Sequence, residues 1–85
     1  MPRLIPAAER LVLARALIQK AREFPLPVDG GKFDFSYIAQ VKDLLRQARD
    51  LVKFIPQSAG AISEIKKDAL QVMQEADQAD RDILH

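Results

Sequence analysis

The sequence predicts an all-α protein. Three observations carry that expectation: three stretches whose apolar residues recur in alternating steps of three and four, proline- and glycine-bearing breaks between the stretches, and no segment that reads as a strand. Two apolar positions per seven residues is the spacing of coiled-coil seams and also of ordinary helical bundles. The expected architecture is a small three-helix bundle, or a helical hairpin with a third helical arm, with coiled-coil-like packing. The 85 residues suffice for a single domain, residues 1–85, and not for two.

The first helix is expected over residues 6–24. Pro6 suits the first helical position, where its missing N–H costs nothing, and Pro25 disfavours α geometry at Phe24. Leu4, Ala7, Leu11, Ala14, Ile18 and Ala21 form its apolar stripe, widened by Leu13, Leu17 and Phe24. Arg15, Gln19, Arg22 and Glu23 fall on the opposite face, with Val12 a lone apolar residue among them. Residues 25–33 form the only long connector, stiffened by Pro25 and Pro27 and turned by Asp29-Gly30-Gly31. Prolines and glycines deny this segment backbone hydrogen bonds.

The second helix, expected over 35–55, has the best start signal in the chain. Asp34 is a good N-cap, and Phe33 and Ile38 then occupy the two positions of a hydrophobic staple. Its stripe, Ile38, Val41, Leu45, Ala48, Val52 and Ile55, is uninterrupted by charge and flanked by Tyr37, Leu44 and Leu51. Pro56 ends it. A third helix is expected over 60–83, with a seam of Ile62, Ile65, Ala69, Val72, Ala76, Ala79 and Ile83. Three of these seven are alanine, so this seam is thin: it either packs very closely or is the weakest element.

Composition narrows the function. A chain this small has a thin margin of stability and usually draws on disulfides, metal or association. There is no cysteine, and the one histidine is His85, so neither a disulfide nor a metal or other cofactor site is expected. Association or very good packing remains. Net charge is +1, which argues against a dedicated nucleic-acid binder. The charge is nevertheless split: residues 1–53 carry ten Lys/Arg against six Asp/Glu, and residues 54–85 carry three against six. Opposite charge in successive segments suits a complementary assembly. No run is long and apolar enough to span a membrane, and Arg15 cuts the best candidate for a secretory core. A cytoplasmic protein is expected. The Arg-rich segment 1–22 lacks the serines of a mitochondrial presequence.

Catalytic inventory is poor. There is no Cys–His pair and no serine with a histidine base, and Asp77 and Asp80 lie in a polar helical tail where nothing raises a carboxylate pKa. Gly30-Gly31-Lys32 lacks the spacing of a phosphate loop, and Phe33 stands at its Ser/Thr position. The function expected is therefore a non-enzymatic helical protein–protein interaction module, self-associating as a homodimer or pairing with another helical protein, and acting as an adaptor or complex subunit. A thin third helix should leave apolar area on the other two, with Leu13, Leu17, Leu44 and Leu51 the expected interface.

The basic row Lys42, Arg46, Arg49 and Lys53 lies along one side of the second helix and offers a charged partner face. The acidic row Glu64, Asp68, Glu75 and Asp82 runs beside the seam of the third. Lys42 and Arg49 fall at heptad position e, and Asp68, Glu75 and Asp82 at g. Because parallel helices bring g to e, these rows point to pairing between chains, or to a three-helix arrangement in which the rule relaxes. Two other readings compete. One is a nucleic-acid-binding regulator that uses the basic row, although no aromatic residues are interleaved for stacking and the tight junction at Pro56–Gly60 leads into an acidic helix. The other is a membrane-surface helix at residues 3–24.

Overall fold

The computed structural model describes residues 5–85, and it is an all-α bundle of three helices packed around one core. Helix α1 spans Ala7–Arg22, α2 spans Phe35–Val52 and α3 spans Ser63–Leu84. Among the described residues no segment is a strand.

Helices α1 and α2 end a little inside the expected limits, and α3 runs one residue past its expected end, to Leu84. Pro6 serves as the N-cap of α1 rather than its first turn, and its carbonyl accepts the Arg10 N–H at 3.0 Å. At the other end the Phe24 N–H bonds the Ala21 carbonyl at 3.3 Å, a tightened last turn just before Pro25. Gly30 and Gly31 then take left-handed backbone with φ of 82° and 52°, which a side chain would strain. A short 3₁₀ turn, Gly31–Phe33, leads into Asp34. The Asp34 carboxylate caps α2 as expected, accepting the Tyr37 N–H at 3.0 Å.

Two boundaries differ from the expected ones for identifiable reasons. Helix α2 stops at Val52, and Ile55–Gln57 form a separate 3₁₀ turn. Pro56 has no N–H to continue the ladder and bars α geometry at Ile55. The turn still delivers Ile55 to the core, where it is buried. Helix α3 begins at Ser63, three residues late, because Ile62 takes extended backbone and becomes its N-cap. Ile62 therefore leaves the seam and is largely exposed.

The core follows the stripes. Leu11, Ala14, Ile18 and Ala21 from α1 meet Val41, Leu45, Ala48 and Val52 from α2, and Ala69, Val72, Ala76 and Ala79 from α3. No polar or charged residue is buried among the described residues. Tyr37 closes one end of the core, its ring tilted against Phe24 with centroids 6.0 Å apart. The α3 alanines are wholly buried, so the thin seam packs closely and is not left open. Leu4, expected at the start of the first stripe, lies outside the described residues.

Candidate functional site

The surface left over by this core is where recognition would take place. Along the α1–α2 flank Leu13 is 40 % exposed, and Leu17 and Leu51 are half-buried. Leu17 and Leu51 line a shallow groove of about 300 Å³ with Gln47 and Asp50. Leu44, expected on the same interface, is instead buried in the core of the single chain at 9 % exposure. The α1–α2 pairing is the most extensive in the molecule. Three of the four expected interface residues thus reach the surface.

The basic row is largely occupied by carboxylates. Arg46 bridges Asp43 at 2.6 Å and Asp50 at 2.9 Å on its own helix, and Lys53 bonds Asp50 at 3.1 Å. Arg46 lies closest to Asp43 and holds its carboxyl below the ordinary range, with Gln47 adding a hydrogen bond. Asp50 is lowered in the same direction, first by Lys53. Arg49 crosses to α3, donating to Asp77 at 3.0 Å and lying 3.8 Å from Asp80. Lys42 is exposed. The row is a set of local ion pairs, which weakens the case for a phosphate-binding face.

The acidic row pairs with α1, not with the basic row of α2. Arg15 grips Asp68 through both terminal nitrogens, at 2.8 and 3.0 Å, and reaches Glu75 at 3.2 Å. Arg22 reaches Asp82 at 3.1 Å. Within the chain, Asp68 and Glu75 thus meet Arg15 and not Lys42 or Arg49, and Arg15 and Arg22, off the apolar stripe as expected, lie at the edge of α1 that borders α3. Helices α1 and α3 run parallel, so g-to-e pairing is satisfied inside one chain. The sequence held that signal: Arg15 and Arg22 are seven apart, as are Asp68, Glu75 and Asp82, and both Arg15–Glu75 and Arg22–Asp82 span 60 positions. The Asp68 hydrogen bonds raise the Arg15 pKa, and in return Arg15 lowers that of Asp68.

Asp77 and Asp80 sit where α3 meets Arg49. Asp77 is exposed, while Asp80 is half-buried, with one carboxylate oxygen that makes no hydrogen bond and lies 3.8 Å from His85 Nε2. Among the described residues no three His, Cys, Asp or Glu side chains gather as a metal-binding group.

The connector holds the feature the helical pattern did not foresee. Leu26, Val28, Phe33 and Phe35 are all exposed, at 61, 102, 77 and 87 %. Phe33 therefore does not bury itself as the expected staple over Ile38. The 3₁₀ turn carries its ring outward, although the Asp34 cap forms. Leu26 and Val28 raise no signal in a segment that has no period, Phe33 is expected as the staple, and Phe35 is the first residue of α2, outside its stripe. No protein-family model matches the chain, and no curated protein or solved structure is similar to it. Among the described residues no helix is long and apolar enough to cross a membrane.

Proposed function

We propose that this chain is a non-enzymatic helical interaction module that self-associates, acting as a homodimer within an adaptor or complex-subunit role. The observation that carries the proposal is the apolar α1–α2 flank, where Leu13 is exposed and Leu17 and Leu51, packed on the core from one side, stay half-accessible. Exposed apolar surface on a small bundle favours association, and two-fold pairing is the commonest way to cover it. Gln47 and Asp50 on the groove's edge supply polar rim groups. The absence of cysteine and the single histidine favour a role in recognition over one in chemistry.

Leu13→Glu tests the reading, because Leu13 is accessible and its replacement leaves the core intact. The variant is expected to keep its helical circular dichroism and to sediment as a single chain at low micromolar concentration, where the wild type pairs through the flank. An unchanged association state would remove the flank from the interface.

A further inference from the structure

Two apolar surfaces at opposite ends of the molecule remain after the flank is assigned. One is the tip formed by the α1–α2 connector, with Leu26, Val28, Phe33 and Phe35 exposed. At about 150–250 Å² per aromatic side chain, Phe33 and Phe35 alone present several hundred Å², the scale at which apolar surface marks an interaction site. Asp29 is exposed at the same tip. Pro25 and Pro27 limit the freedom of the segment, so ordering it on a partner costs little.

The other surface is a hollow of about 340 Å³ at the base, where the start of α1 meets the end of α2. Ile5, Leu51, Phe54 and Ile55 supply apolar walls, with Arg10 and Ser58 on the rim. The size is at the low end for ligand pockets and suits a few inserted side chains. Arg10 donates to the carbonyls of Ile5 at 3.0 Å and Leu51 at 3.4 Å and forms no ion pair among the described residues. The Lys53 ammonium lies 5.1 Å from the centre of the Phe54 ring, but it is already paired with Asp50 at 3.1 Å. The base is thus apolar with the Arg10 guanidinium lining it, and the tip is apolar with an exposed carboxylate.

We infer that the connector tip of one copy docks into the basal hollow of a second copy, a head-to-tail contact that adjoins the two-fold flank and shares Leu51 with it. The inference rests on the self-association reading and extends it. The longest dimension of the molecule is 47 Å, and tip and base lie at its two ends, so the tip cannot reach its own hollow. A second copy is the occupant favoured by complementarity, apolar against apolar and the Asp29 carboxylate against the Arg10 guanidinium. Two tips facing each other would instead bring Asp29 against Asp29. A head-to-tail contact does not close on itself, so it extends pairs into longer assemblies or rings. The area available places it among weak, transient contacts.

The test exploits the two-sidedness of the contact. In a Leu13→Glu background, which silences the flank, a tip variant (Phe35→Asp) and a base variant (Phe54→Asp) are prepared as full chains. All three positions are exposed, and circular dichroism checks that each variant folds. Each variant alone is expected to sediment as one chain at about 100 µM, since each lacks one half of the contact, whereas the equimolar mixture forms two-chain species. A mixture that stays at one chain while the wild type associates would overturn the head-to-tail contact and leave self-association through the flank standing. A wild type that itself stays at one chain would overturn both. Flotation of the wild type with phosphatidylcholine vesicles, lost in Phe35→Asp and accompanied by no mixed association, would assign the tip to a bilayer and refute the contact.

Discussion

The two contacts that close the bundle are built from different material. Where α1 meets α2, large side chains interdigitate: Ile18, Val41, Leu44 and Leu45 are buried, and Tyr37 packs against Phe24. Where α3 joins them, Ala69, Ala76 and Ala79 are wholly buried around Val72, and the edge is fastened by Arg15 and Arg22 reaching across to Asp68, Glu75 and Asp82. The first contact draws its stability from apolar area. The second gains little area from alanine but permits close approach of the backbones, and it takes its register from charge. A thin apolar seam is therefore compatible with a closed bundle when small residues and matched ion pairs coincide.

The sharpest way to break the comparison is to exchange the materials. Leu45→Ala, at a site with no exposure, removes branched bulk from the first contact and should cost about 2–5 kcal/mol, read from the urea midpoint. Ala76→Leu adds bulk to the second, where there is no room, and should cost about 1–3 kcal/mol in the same measurement. A neutral Ala76→Leu would show that α3 does not sit close, and the distinction between the two contacts would fall.

Arg15→Ala should have a smaller effect, because the Arg15, Asp68 and Glu75 side chains are all about one-third or more exposed and solvent screens them. Its signature is in the pH dependence. Asp68 is held below its ordinary value in the folded chain, so around pH 4 and below the unfolded state binds more protons. The contribution is fully present above the ordinary carboxylate range and is lost as pH falls through the depressed value. Wild-type stability should therefore drop more steeply in acid than that of Arg15→Ala, with the two curves parallel near neutrality. Thermal melts from pH 7 to pH 2.5 check this, and equal slopes would mean that the clamp does not form.

The smallest effect is expected at the connector. Phe33 is 77 % exposed, and Phe33→Ala should change stability by no more than about 0.5 kcal/mol. A loss comparable to Leu45→Ala would mean that the ring is buried after all, restoring the staple over Ile38.

Legibility followed periodicity. The stripes of α1 and α2 and the alanine seam of α3 were readable because a 3.6-residue repeat leaves a one-dimensional trace, and the Asp34 cap was readable because its side chain acts on its own helix. Ile62 was misplaced because apolar spacing continues past the point where the backbone becomes helical. Leu44 was assigned to the surface because a flank position looks the same whether a neighbour covers it or not. The Arg15–Asp68–Glu75 clamp needed a choice of partner helix, and proximity in sequence favoured α2 over the parallel α1. Phe33 was misplaced because the staple needs its ring turned toward Ile38, and the 3₁₀ turn before Asp34 carries it outward. Of the candidate surfaces, then, Leu13, Leu17 and Leu51 were legible, and the tip and the basal hollow required the fold.

The central claim is that this chain associates with itself. Sedimentation equilibrium of the wild-type chain from about 1 µM to about 1 mM tests it most directly. The account predicts a mass that rises with concentration, reaching two chains in the micromolar range and exceeding two at the top of the series. A mass of one chain, constant across the whole range, would contradict it.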